Sequence, residues 1–232
     1  SKPDFVVEAA LLSKAAKTPV RVQWTREDDI HHDFYHSHSA QRIVATINST
    51  NELTGWNHHT VFPAIGATGS ADELHPSNGE MELGCRDFPF DVPNIRIESH
   101  ESTAHTRIGW LRSVSNIHHA FAIHSMMDEI AEARGIDPIE NALQLLGEDK
   151  DLTFEGEMEG NFENYGEKIE DFPWNTGRMK KVIEEVAQKS NWKAHKDAGK
   201  AIGFAAHKSF LTYVACVVLV EKDASGKLSI PE

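Results

Sequence analysis

The residues best placed to do chemistry lie between Gly109 and Val114, read G-W-L-R-S-V, at the mouth of a predicted helix. Gly109 permits a close backbone approach. Trp110 offers a flat apolar wall. Arg112 carries a planar fork that pairs with phosphate or carbonyl-type oxygen, and Ser113 can hydrogen-bond. The amides at the start of the following helix favour anions. Together these residue types suit a loop held against an anionic cofactor. They equally describe an Arg that caps a neighbouring helix and a Trp that fills a core.

Histidine is the second candidate, with 14 in the chain. His31, His32, Asp33, His36 and His38 fall within eight residues, and neutral imidazoles with a carboxylate are what transition metals want. On a helix His32 and His36 share a face. No H-E-x-x-H pattern is present, and adjacent pairs such as His58-His59 and His118-His119 point apart. Solvated surface histidines are therefore expected, with a His-rich metal-binding module as the alternative. Nucleophilic chemistry has little support. There is no G-x-S-x-G elbow, and Cys85 and Cys216 read as small apolar fillers. Cys216 lies in T-Y-V-A-C-V-V-L-V, where burial would leave its thiol inert. No carboxylate stands out in an apolar setting, and G-A-T-G-S has the wrong glycine spacing for a nucleotide loop.

The elements that must position these residues follow from periodicity. Pro3 to Lys17 predicts an amphipathic helix through Phe5, Val6, Ala9, Leu12 and Ala16. Val20–Thr25 alternates as a strand, and Thr25-x-x-Asp28 is a capping box for a short helix. Arg42–Asn48 and the segment from Leu53 to Phe62 predict a hairpin. Residues 63–94 predict a long loop and Ile95–Ser99 a strand. Ile117–Arg134 predicts a helix with Ile117, Ala120, Phe121, His124, Met127 and Ala131 on one face, stopped by Gly135. Asp137, Pro138 and Glu140 open the next helix as a capping box, ending near Leu146. Glu148–Asp171 has ten acidic residues and two lysines, and predicts a solvated connection. Asn175 caps a helix through Met179, Val182, Ile183 and Val186, and antiparallel strands end the chain. Mixed helices and antiparallel strands without a βαβ rhythm predict an α+β fold.

Composition bounds the rest. The chain has 232 residues, and its formal net charge of -13 repels nucleic-acid backbones. No apolar run is long enough to span a bilayer, and two cysteines exclude a disulfide framework. Ser1-Lys2-Pro3-Asp4 opens straight into a helix, and S-G-K-L-S-I-P-E stops inside the second strand of a hairpin. Both ends predict an internal fragment of a longer protein, with a mature domain whose ends were trimmed as the alternative.

Several motifs also occur in one order: Trp24–Tyr35 (W-T-R-E-D-D-I-H-H-D-F-Y), G-W-L-R-S-V with H-A-F-A, M-D-E-I-A, G-I-D-P-I-E, and Gly199–Phe210 (G-K-A-I-G-F-A-A-H-K-S-F). As a set they resemble the large, molybdopterin-binding subunit of the xanthine dehydrogenase and aldehyde oxidase superfamily, of the isoquinoline 1-oxidoreductase beta-subunit type. The resemblance implies a molybdenum hydroxylase that inserts water-derived oxygen into a C–H bond of an aldehyde or N-heterocycle. It also implies a partner iron–sulfur small subunit carrying [2Fe-2S] clusters. Residues 1–147 would belong to a first molybdopterin-binding domain, 148–174 to an acidic linker, and 175–232 to the start of a second such domain. The family's glycine-rich cofactor loop would precede Ser1 and its catalytic glutamate would follow Glu232. The resemblance therefore assigns cofactor contact to Trp110, Arg112 and Ser113 only, with no catalytic residue and no metal ligand in this segment, and with no turnover by the segment alone. Trp24 to Asp29 takes a structural role. Location stays open between the periplasm, favoured by analogy with exported relatives, and the cytoplasm. A purely structural docking surface is a third possibility, marked by exposed apolar residues.

Overall fold

The computed structural model describes residues 4–68, 74–154 and 162–231. In chain order its elements are α1 (Asp4–Ala16), α2 (Arg26–His32), β1 (Ala40–Ile47), β2 (Leu53–Val61), a 3-10 turn (Ile65–Thr68), α3 (Asn78–Met81), β3 (Ile95–His100), α4 (Asn116–Arg134) and α5 (Pro138–Leu145). Then come β4 (Asp151–Leu152), a 3-10 turn (Asn164–Gly166), β5 (Trp174–Asn175), α6 (Thr176–Lys189), α7 (Trp192–Asp197), β6 (Ala201–Ser209), β7 (Thr212–Lys222) and β8 (Leu228–Ser229). The class is α+β, as the mixed pattern predicts.

The local signals act as expected where caps and turns decide. Thr25 and Asp28 form a reciprocal capping box on α2. Gly135 ends α4 with φ 68°, a left-handed position that glycine takes without steric cost. Asn175 caps α6 through the Arg178 amide. Asp137 caps α5 by accepting from the amides of Ile139 and Glu140, but the box is not reciprocal. Glu140 instead accepts from Gln144 one turn on.

Tertiary pairing departs from the sequence pattern in four places. The segment from Val20 to Thr25 alternates but is no strand, because no neighbouring strand pairs with it. Its Trp24 indole donates to Glu8 on α1. The β1–β2 hairpin forms as predicted, with Ala40 opposite Val61, but β3 joins β2 in parallel, with Trp56 opposite Ile95. Segment 63–94 is not simply a surface loop. It carries α3, capped by a reciprocal Ser77–Glu80 box, and buries Met81, Leu83, Cys85, Phe88, Phe90 and Val92; residues 69–73 lie outside the described residues. Helix α4 is rotated from its predicted face. His119, Ile123, Met127, Ile130 and Ala131 point inward, while Ile117 is 51% and Phe121 77% exposed.

The main core runs from Leu53 and Trp56 on β2 through α4 and α5 to Trp174, Met179, Ile183, Trp192 and Ala206. Each such large apolar side chain stabilises the fold by about 1.5–3 kcal/mol. Within the acidic stretch β4 pairs with β5, and Phe154 and Asn164 are buried, so that stretch is not wholly solvated. Residues 155–161 lie outside the described residues. Helix α1 buries no residue, leaving Phe5, Val6, Val7, Leu11 and Leu12 exposed.

Candidate functional site at the Gly109–Ser113 turn

The turn is held from behind by backbone. Tyr35 accepts from the Gly109 amide at 3.1 Å and donates to Arg107 at 2.7 Å, which clamps Ile108 beside it. A Cβ on Gly109 would lie 2.8 Å from Phe34 Cβ, so glycine is needed for this approach. The Val114 amide donates to Leu111 O at 2.8 Å and closes the turn. Ser113 and Val114 both take positive φ, 63° and 45°. That is unfavourable for a β-branched residue, and it is offset by burying Val114 against Ile65 and Leu83.

This backbone sorts the three candidate residues. Trp110 is 58% exposed and edges a cavity of about 250 Å³. Arg112 is exposed and has no hydrogen bond or ion pair among the described residues. Ser113 turns inward, and its Oγ accepts from Ser209 Oγ at 3.3 Å. The amides at the start of α4 are not free for an anion. Those of Asn116, Ile117 and His119 donate to the carbonyls of Ser113, Val114 and Ser115, and Ser115 and Asn116 are buried. With three of those amides taken, the exposed Arg112 guanidinium carries most of the anion preference expected of the helix mouth.

An anionic, ring-bearing cofactor is compatible with the residue types on the outer side of this turn, because Trp110 and Arg112 are both exposed and the guanidinium is unpaired among the described residues. It does not fit the cavity beneath Trp110. Glu80, Glu82 and Glu163 line that space without a Lys or Arg, so it repels anions.

Behind the turn lies a buried polar layer that sequence patterning did not single out. Asp87 is 4% exposed, accepts from the Gly84 amide at 2.9 Å, and is pushed by burial to a pKa of about 7. Lys208 is 2% exposed and is pulled by burial down to about 8, against the opposing pull of Asp87. Its Nζ reaches Asn164 Oδ1 at 3.4 Å and lies over the Tyr165 ring. Burial also raises the Glu82 carboxyl. The expectation that no carboxylate sits in an apolar setting is thus wrong for Asp87 and Glu82. The Ser77–Glu80 spacing was a readable signal of this region.

The histidines divide. His31 and His32 are exposed, whereas His58 and His119 are fully buried. A directional chain links them: Cys85 Sγ to His58 Nδ1 at 3.5 Å, His58 Nε2 to Gln41 Oε1 at 2.7 Å, Gln41 Nε2 to Thr60 Oγ1 at 2.8 Å, Thr60 Oγ1 to His119 Nε2 at 3.1 Å, and His119 Nδ1 to Leu83 O at 2.9 Å. With Leu83 O accepting, His119 is the Nδ1–H tautomer, and its Nε2 accepts a hydrogen bond from the Thr60 hydroxyl. Burial holds both rings neutral, His58 with a pKa of about 4 and His119 well below the ordinary range. These histidines are core connectors rather than solvated groups. Among the described residues no cluster of three or more His, Cys, Asp or Glu could hold a metal ion. Cys85 is buried, and burial pushes its thiol up. Cys216 is exposed and is no core filler, because its strand faces outward at that position.

Comparison with known proteins gives the family. The family model of the molybdopterin cofactor-binding domain matches residues 3–143. The chain is similar to the B subunit of nicotinate dehydrogenase from Pseudomonas putida, at 33% identity over 62% of this chain and 13% of that protein. It is also similar to the beta subunit of isoquinoline 1-oxidoreductase from Brevundimonas diminuta, at 24% identity over 88% of this chain and 23% of that protein. In fold it is similar to aldehyde oxidoreductase from Desulfovibrio gigas, with a TM-score of 0.59 and 16% identity over 95% of this chain and 24% of that one. The chain thus spans less than a quarter of each of these proteins. The resemblance carried by the ordered motifs is borne out at the level of the molybdopterin cofactor-binding family, and an isoquinoline 1-oxidoreductase beta subunit is among the relatives.

Proposed function

The chain belongs to the molybdopterin cofactor-binding domain family, and on that premise we propose that it forms one wall of a molybdenum-cofactor site in a longer oxidoreductase polypeptide. When bound, the cofactor supplies molybdenum-centred oxidation of an aldehyde or N-heterocycle C–H bond with oxygen taken from water. Arg112 holds an anionic group of the cofactor through its guanidinium fork. Trp110 shields that contact from water with its indole. Ser113, fixed by Ser209, sets the turn so that Arg112 points outward. No catalytic acid, base or nucleophile is assigned within these residues.

The observation that carries the proposal is the exposed, unpaired Arg112 on a turn whose backbone is held in positive φ. The open apolar side of α1, with Phe5 at 64% and Leu11 at 62% exposure, supports packing of this chain within a larger polypeptide. Electrons would leave through a partner subunit with [2Fe-2S] clusters. No helix among the described residues is long and apolar enough to cross a membrane.

The test compares the 232-residue chain with the intact polypeptide. The intact polypeptide, with its partner, should contain molybdenum and reduce a dye with an aldehyde or N-heterocycle as donor. The chain alone should hold no stoichiometric molybdenum and show no turnover. An intact protein without molybdenum refutes the proposal.

A further inference from the structure

The cavity under Trp110 has a chemistry of its own. Its volume is about 250 Å³, just below the ~300–1,000 Å³ of pockets for drug-sized ligands. Its walls are aromatic: Trp110, Tyr165 and Phe210 line it, and the Tyr165 and Phe210 rings lie 4.8 Å apart with a 41° tilt. Its charged lining is entirely acidic. Both Glu80 oxygens are taken by the amides of Ile65 and Ser77, so that residue is structural. Glu82 is 3% exposed; Oε2 accepts from the Glu163 amide, while Oε1 is buried without a hydrogen bond. The Arg86 guanidinium stands 3.7 Å from that Oε1 and forms a buried ion pair with it, so the Glu82 charge is compensated from outside the cavity lining. A Cβ on Gly79 would meet the Glu163 carboxylate at 2.7 Å, so glycine leaves the room that this carboxylate occupies.

A small space lined by aromatic rings and carboxylates, with no Lys or Arg in its lining, discriminates by charge. It repels anions, and a neutral molecule gains nothing from its carboxylates. An alkylammonium suits the lining, because aromatic faces attract cations and the exposed Glu163 carboxylate supplies the counter-charge. We propose that this cavity binds a small organic cation of the alkylammonium class. The site shares Trp110 with the cofactor contact but not Arg112, which does not line it, so Arg112→Ala separates the two readings.

The test titrates the chain with tetramethylammonium, following Trp fluorescence and calorimetric heat. The uncharged isostere 2,2-dimethylpropane and acetate serve as controls. The expected result is saturable binding of the cation, with both controls weaker by at least about tenfold. Trp110→Ala and Glu163→Gln change exposed side chains and should each weaken the cation by about tenfold or more. Arg112→Ala should leave it unchanged. Equal binding of cation and isostere, an absence of cation binding, or full binding by folded Trp110→Ala overturns the proposal.

Discussion

Lowering the pH from 7.5 to 5.0 should cost this chain several kcal/mol of stability, up to about 5, through its buried and half-buried histidines. Burial sets His58, His118 and His207 to pKa values of about 4 and His124 to about 3, against an ordinary 6.5. A folded-state pKa below the unfolded one means that the unfolded chain takes up the proton first. The stability these rings carry is complete above pH 6.5 and is lost as pH falls from there towards their folded values. At pH 5.0 each ring then accounts for about 2 kcal/mol, so the four together account for about 8 kcal/mol. His119 acts in the same direction. Asp87 opposes them. Its pKa is raised to about 7 from 3.8, so the folded state gains protons first, which returns about 2.5 kcal/mol over the same interval. The net loss is at most about 5 kcal/mol, against a typical stability of ~5–15 kcal/mol. Urea unfolding followed by far-UV circular dichroism at both pH values gives the difference directly. A stability unchanged to within about 1 kcal/mol would show that these rings are not buried as neutral groups.

Three substitutions probe the packing behind the turn. Thr60→Val keeps the shape of β2 but leaves His119 Nε2 and the Gln41 amide without their partner; urea unfolding should show a loss of about 1–3 kcal/mol for each orphaned group, and a neutral result would remove the hydrogen-bond chain. Lys208→Met takes away the cation that opposes Asp87's rise; the same assay should show a loss at pH 8 of about 1.4 kcal/mol for each further unit of Asp87 pKa, vanishing at pH 5 where Asp87 is protonated in either form. Gly109→Ala drives a methyl to within 2.8 Å of Phe34 Cβ; a thermal melt should show a loss of about 1–3 kcal/mol, and an unchanged melt would mean that the turn tolerates a side chain.

What the sequence made legible was governed by neighbours along the chain. Thr25 with Asp28, Gly135, Asp137 with Pro138, and Asn175 set helix ends through contacts spanning at most four residues, so their spacing predicts them. The ordered motifs led to the family even though each is short. What stayed hidden depends on partners far away. The alternation of Val20 to Thr25 is that of a strand, yet a strand needs a ladder. Helix α4 carries both apolar and polar residues around its circumference, and its inward face is chosen by Thr60 and Leu83, which bind His119. Asp87 and Lys208 lie 121 positions apart in the numbering, so neither advertises a buried charge. For the turn itself, Trp110 and Arg112 were picked out by residue type. The loss of the α4 amides to Ser113, Val114 and Ser115 follows only from the positive φ of two successive residues.

Molybdenum content of the intact polypeptide carrying Arg112→Ala decides whether this turn holds the cofactor. A guanidinium in that role contributes about 1.5–3 kcal/mol of charge-assisted hydrogen bonding, so the molybdenum-to-protein ratio after dialysis should fall by at least about tenfold while circular dichroism is unchanged. A folded variant that retains the full wild-type ratio would contradict the placement of the cofactor against this turn.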